Sequence, residues 1–444
     1  MSFSPANAAP AAANRLSAFR NSNQGSLTII LSLCLPVLMG VLGSATDFGA
    51  AIHTRDELMM SADSASLSAI AKNSPGMLAA AAMTTDGEVP SAQRDAIAFF
   101  DDEISRSGLR NLTEAHASVI KTGSTVTSTI TFSTKVRTHF LGLFGYNTLT
   151  VDGHATSISG TPPYINFYLM LDNSPSMGIA ATPSDVDTMV SNTRGQGGCA
   201  FACHETDKAG HDNYTLAKNL GVTTRIDVLR QATQKLMDTA TSIASVPDQF
   251  GMSVNTFNVD MTNVVPLTTD LSSAKSQAEA VDLMVVPNQG WNDDRDTDFD
   301  VSMGQLAAVV PKSGSGITSA DPQSVVFLVT DGVEDTNSAT VTDVVSDAHS
   351  FPDSSRLIQA FNPALCSSMK AKGIKVAVIY TTYVALPTNY YYNKNVAPWQ
   401  DEINPNIKAC ATPGYFFEVS PTQGISDAMD ALFRKAVAEA RISS

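Results

Sequence analysis

Asp172, Ser174 and Ser176 stand at alternate positions in YLMLDNSPSMG, directly after an apolar run. Alternate residues of an extended segment point to one side, so these three oxygens can converge on one point in space. Oxygen ligands from carboxylates and hydroxyls suit a hard divalent cation such as Mg²⁺, Mn²⁺ or Ca²⁺, whereas zinc would favour His and Cys. Taken alone, the triplet also reads as a turn or helix cap, because Asp and Ser favour both. A further acid, Asp331 in FLVTDGVED, follows a second apolar run and strengthens the cation reading.

Such residues need a scaffold that brings distant loops to one edge. From residue 161 onward apolar strands alternate with helices: strands at 165–171, 250–258, 324–330 and 374–381, and helices at 225–245, 299–310, 364–371 and 424–440. Strands as uniformly apolar as SVVFLVT and IKVAVIY are those buried on both faces. The pattern predicts an α/β fold with a doubly wound, mainly parallel sheet, which binds ligands outside the carboxyl ends of its strands. Asp172 and Asp331 each fall just past such an end.

DNSPSMG resembles the Asp-x-Ser-x-Ser motif of von Willebrand factor A domains. In that family the metal-ion-dependent adhesion site is completed by a Thr from a later loop and an Asp after a later strand. The resemblance runs over residues 164–440 in element order. It implies an A-type domain at 161–444, with an insertion at about 179–224, and a metal set of Asp172, Ser174, Ser176, Thr297 and Asp331. Asp296 stands where the family often has Gly before its Thr. The resemblance further implies that the hydroxyls coordinate directly and the two carboxylates partly through water. An open position on the ion would then attract an acidic residue of a partner.

Other chemistry is argued against. Asp294, Asp296, Asp298 and Asp300 alternate like a calcium loop, but Phe299 and Gln305 occupy the positions where an EF-hand needs Gly and Glu. CAFACH at 199–204 has one residue too many for a haem-attachment motif. No G-x-S-x-G elbow or phosphate-loop spacing occurs, and no nucleophile–base pair is visible. With 28 Lys and Arg against 43 Asp and Glu, a net charge of −15, the chain is not built to neutralise a phosphate backbone, so no nucleic-acid partner is expected.

Residues 27–45, LTIILSLCLPVLMGVLGSA, carry no charged side chain and are about long enough to span a bilayer. Arg15 and Arg20 precede the run without any acid, which predicts a cytoplasmic N-terminus and export of everything beyond residue 46. A cleaved signal peptide is the rival reading, since Gly43, Ser44 and Ala45 are small; the long leader and long apolar run favour a retained anchor. Residues 1–24 have the composition of a disordered tail. A helix continuing the span is expected to residue 72, a break at 73–90, a helix at 91–105, and then Thr- and Val-rich strands. Together, residues 73–160 form a small α+β region. Four cysteines lie on the exported side, where thiols pair. Three pairings are open; proximity favours Cys199 with Cys203, leaving Cys366 with Cys410.

The stretch from Asn23 to Lys72 resembles the start of TadG-like proteins of tight-adherence (Flp) pilus assembly, through Gly25, Asp47, Phe48, Gly49, Asp63 and Ala65. Ile30 stands where related pilins carry Glu. Joined, the two resemblances imply a non-enzymatic protein anchored in a bacterial inner membrane through residues 27–45, with its bulk in the periplasm. Such a protein would use a divalent cation to hold an acidic residue of a pilus-assembly component. A surface or secreted A-type adhesin, and a chelatase-type enzyme subunit, are the alternatives.

Overall fold

The computed structural model describes residues 24–106, 113–200, 204–206, 212–286, 296–341, 349–350, 355–383, 390–420 and 424–443. The tail expected at 1–24 lies almost wholly outside them, as do Cys203 and Asp294. The chain resolves into two compact units. One is built from the residues up to 76 with 88–120 and 127–159, the other from 77–87, 121–126 and 160–444.

The N-terminal unit is organised by α1 (Gln24–Ala69), one uninterrupted helix of 46 residues that contains the apolar run and its polar continuation. Its apolar window is long enough to cross a membrane and only 6% of it is buried. Further along, α1 buries Leu58, Ala62, Ala65 and Ala69 at three- and four-residue spacing. Helix α2 (Pro90–Ser105) starts with proline in its first turn, where the missing N–H costs nothing, and buries Ala92, Ala96, Phe100 and Ile104. The sheet of this unit has the order β1 (Gly87–Glu88), β2 (Thr113–Thr122), β3 (Thr125–Arg137), β4 (Thr148–Gly160). Strand β3 alternates buried and accessible residues, and its Phe132 stacks on Phe100 with ring centroids 6.1 Å apart. The break expected at 73–90 instead contains a short helix, Pro75–Ala82. Pro75 sits at its start, and the following PGMLAAAA is otherwise good helix-forming sequence.

The C-terminal unit holds a six-stranded sheet of β5 (Ile165–Asp172), β6 (Phe250–Phe257), β7 (Met261–Thr268) and β8 (Gln323–Thr330), completed, after three short strands, by β12 (Lys375–Thr381) and β13 (Phe416–Val419). The spatial order is β13-β12-β8-β5-β6-β7. All neighbours run parallel except β7, which pairs antiparallel with β6 at the edge. The short strands β9 (Val333–Asn337), β10 (His349–Ser350) and β11 (Arg356–Ala360) form a separate antiparallel sheet. This is the doubly wound, mainly parallel α/β architecture that the alternation of strands and helices in the sequence predicts.

Side-chain parity divides the central sheet between two cores. Ile165, Phe167, Leu169 and Leu171 of β5 face one layer, packed by α3 (Arg225–Ile243) and the C-terminal helix; Tyr168 and Met170 face the other. That second layer is packed by α4 (Phe299–Val309), α5 (Ser367–Ala371) and α6 (Gln400–Cys410). The C-terminal helix α7 (Ile425–Ser443) inserts Phe433 between Phe167 and Phe250, with centroids at 4.7 and 5.2 Å. A disulfide joins Cys366 and Cys410, both fully buried, tying the turn before α5 to the last residue of α6. The pairing expected for Cys199 falls on Cys203, outside the described residues.

The chain leaves β5 toward β6 and β7 on one side and resumes at β8 on the other. The crevice at the carboxyl ends of β5 and β8 is therefore a topological switch point.

Candidate metal centre

Asp172 is the last residue of β5 and is fully buried. One carboxylate oxygen accepts the Ser174 amide at 3.0 Å, and the other accepts the Thr330 hydroxyl, from the end of β8, at 2.6 Å. Ser174 is extended, at φ −60° and ψ 166°, and Pro175 opens a single 3₁₀ turn, Pro175–Gly178. That turn brings the hydroxyls of Ser174 and Ser176 to 3.1 Å from each other. Ser176 also hydrogen-bonds the Asp331 carboxylate. Four of the five residues expected from sequence thus meet at one point: Asp172, Ser174, Ser176 and Asp331.

Gly332 follows Asp331 with φ +76°, and a Cβ there would lie 2.8 Å from the Ile403 side chain, so both conformation and space require glycine. Its amide donates to the Thr330 hydroxyl at 3.0 Å. Thr330 therefore links the end of β8 to Asp172 and fixes the turn that presents Asp331.

Thr297 is placed differently. Its backbone pairs with Asp335 in β9, the Thr297 amide donating to the Asp335 carbonyl and the Asp335 amide to the Thr297 carbonyl, each at 3.0 Å. Among the described residues no hydrogen bond joins its hydroxyl to the other four. The loop is nevertheless tied to the same rim. The Asp298 amide donates to the Asn258 carbonyl at 2.9 Å, and the Asn258 side chain donates to Asn173, next to Asp172, at 3.1 Å. The acids near Thr297 have structural partners. Asp298 caps α4 through the Val301 amide and accepts the Thr336 and Thr340 hydroxyls.

Arg225, which the sequence reading passed over, is the first residue of α3 and is fully buried. One guanidinium nitrogen lies 4.0 Å from an Asp331 oxygen; no nitrogen of the group makes a hydrogen bond, and neither does that Asp331 oxygen. Thr224 and Asp227 close a capping box that fixes the helix start and so aims Arg225. A sequence signal existed. A cation in the first turn of a helix opposes the macrodipole, so its placement calls for a compensating anion.

Burial raises the Asp172 carboxyl well above the usual carboxylate range, and the charge on Asp331 adds to it. Burial raises Asp331 too, opposed by the Ser176 hydrogen bond and by Arg225. The same burial lowers the Arg225 guanidinium despite the acids beside it. When both carboxylates are ionised, the one buried guanidinium leaves one negative charge uncompensated, and a bound cation would favour that ionised form. An unbonded carboxylate oxygen with two adjacent hydroxyls gives that charge a hard-cation donor set. Among the described residues no three His, Cys, Asp or Glu side chains cluster as a metal site, so any cation here would depend on the hydroxyls.

A second buried acid lies nearby. Glu334 of β9 accepts the Phe299 amide at 3.0 Å and the Gln359 side chain at 2.6 Å. Burial pushes its carboxyl up to about 8, and the charges on Asp300 and Asp298 add to the effect. Its ordinary value is 4.5, so the folded chain holds this proton over a range where the unfolded chain has lost it. Stability contributed here is fully present below about pH 4.5 and is lost as pH rises through about 8. Glu334→Gln is expected to flatten that fall, read as urea midpoints across the range; parallel profiles for variant and wild type would refute it.

Residues 25–83 match the family model described as "Putative Flp pilus-assembly TadE/G-like". No curated protein matches the chain. Among solved structures, the chain is similar to the conserved hypothetical protein BatB from Bacteroides thetaiotaomicron, at 13% identity and TM-score 0.34, covering 62% of this chain and 99% of that one. It is similar to the vWF domain of the type V pili tip protein Mfa5 from Porphyromonas gingivalis, at 10% identity and TM-score 0.35, covering 63% and 96%. It is also similar to proximal thread matrix protein 1 from the mussel byssus, a structure with a zinc-occupied MIDAS motif, at 13% identity and TM-score 0.33, covering 62% and 48%.

Proposed function

We propose, from the TadE/G-like segment at residues 25–83 and the A-type domain that follows it, that this chain is a membrane-anchored binding protein of tight-adherence pilus assembly or anchoring. It crosses the bacterial inner membrane once through residues 27–45, with its N-terminus in the cytoplasm and its bulk in the periplasm. Arg15 and Arg20 ahead of the span and the Cys366–Cys410 disulfide beyond it support that orientation. Its chemistry is recognition rather than bond making.

The observation that carries the reading is the meeting of Asp172, Ser174, Ser176 and Asp331 at the switch point of the sheet. These four residues hold a divalent cation, Mg²⁺ or alternatively Mn²⁺ or Ca²⁺, with Thr297 joining from the neighbouring loop. When bound, the cation supplies an open position for a carboxylate of the partner. Arg225 sets the charge balance: with two carboxylates ionised, the loaded site carries a net positive charge and favours an acidic ligand.

Pili counted by electron microscopy on cells lacking this chain test the proposal. Restoration by the wild type but not by Asp172→Ala is expected; undiminished piliation without the chain, or full rescue by the variant, would overturn it.

A further inference from the structure

Asp47, in the border between the apolar run and the rest of α1, is 4% exposed, and its carboxylate accepts the amides of His139, Phe140 and Leu141 at 2.9, 2.9 and 2.7 Å. These open the connection between β3 and β4, which includes the 3₁₀ turn Leu141–Phe144. Asp47 therefore pins this connection to α1, and the side chains next to the pinned amides reach back along the helix. A Cβ on Gly43 would fall 2.2 Å from the Phe140 ring, and one on Gly40 would fall 2.9 Å from the Phe144 ring. Gly40, Gly43 and Asp47 share one helical face, and glycine is what leaves room for the two aromatic rings.

Gly40 is five residues inside the end of the apolar run, a depth of about 7 Å at 1.5 Å per residue. Whatever solvent surrounds residues 40–45 of α1 also surrounds the turn packed against them. The turn suits an apolar solvent. Leu143, Phe144 and Tyr146 are 81%, 60% and 67% exposed, continuous with exposed Val41 and Leu42 of the run itself. Behind the tip, Lys135 and Arg137 are exposed on β3, and no acid occurs between residues 115 and 151. An apolar and aromatic tip with long cationic side chains behind it matches acyl chains below phosphate-bearing headgroups, the aromatic rings at the interface and the Lys and Arg heads reaching the phosphates.

We propose that residues 139–147 form a membrane-inserted finger, seated in the same bilayer leaflet that α1 leaves, so that the exported part touches the lipid at a second point. The occupant of its apolar surface is lipid; a protein occupant is the competing result in the test below. The inference rests on α1 crossing the bilayer, and the experiment separates the two.

The full chain is reconstituted into nanodiscs of phosphatidylcholine containing anionic lipid, with bromine at either a shallow or a deep acyl position. Leu143→Trp and Val37→Trp are each compared with the parent and its two tryptophans. Leu143→Trp should add blue-shifted emission that is lost mainly to the shallow bromine, and Val37→Trp emission lost mainly to the deep one. Asp47→Ala in the Leu143→Trp background should reduce the shallow quenching. Quenching at position 37 without any at 143 overturns the finger while the span stands; quenching at neither overturns both. A shift at 143 that requires another cell-envelope protein overturns the lipid assignment in favour of a protein contact.

Discussion

Mg²⁺ is expected to raise the melting temperature of the wild-type chain, and Asp172→Asn is expected to abolish that rise. A ligand bound only by the folded state stabilises it by RT ln(1 + [L]/Kd), about 2.7 kcal/mol at one hundred times Kd. For a domain of this size that corresponds to a melting shift of about 5 to 10 °C. The asparagine keeps an acceptor for the Ser174 amide and removes one of two adjacent buried charges, but takes the acceptor from the Thr330 hydroxyl. These effects oppose each other, so without cation the variant is expected to stay folded with a melting temperature near the wild type's, which distinguishes loss of the site from loss of the fold. Equal Mg²⁺ shifts in both proteins, or none in the wild type, would remove the cation from this site. Asp331→Asn should behave likewise toward Mg²⁺ but lose stability without it, because Arg225 would be left buried beside a neutral group.

Removing the Cys366–Cys410 bridge by Cys366→Ala with Cys410→Ala is expected to cost about 4 kcal/mol, from the loop-entropy relation applied to its 44-residue separation. Both sulfurs sit in the second core layer, so the alanines add small cavities to that loss. Denaturant melts should show the variant well below the wild type, with reductant narrowing the gap between them. Equal stabilities under oxidising conditions would mean that the bridge does not constrain the unfolded chain.

Much of the C-terminal unit was legible because burial on both sheet faces leaves uniformly apolar strands, and because each acid of the candidate centre sits where such a run ends. Strand β7 escaped notice for the converse reason: MTNVVPLT is an edge strand with one buried residue and a proline, tolerated only where one side of the ladder is free. The sheet of β9, β10 and β11 is carried by polar side chains with buried partners, such as Glu334 and Gln359, which look like loop residues until they are paired. Arg225 offered one sequence signal, a cation in the first turn of a helix, but a lone arginine also reads as solvated surface, and the fold decides by starting that helix inside the crevice. For Thr297 the sequence offered a hydroxyl in the loop ahead of α4, while the backbone pairing with Asp335 decides where that loop is held.

Helix α1 has a mechanical consequence. At 1.5 Å per residue its 46 residues span about 69 Å, of which the apolar run accounts for under half. Pro36, the one proline within it, lies inside that run, so no proline interrupts the stretch beyond. In the membrane-anchored reading proposed above, tilting the part of the span beyond Pro36 tilts the part that carries Ala62, Ala65 and Ala69, and the two move as one lever. A load applied to the N-terminal unit would reach the bilayer as torque, without a slack tether to absorb it.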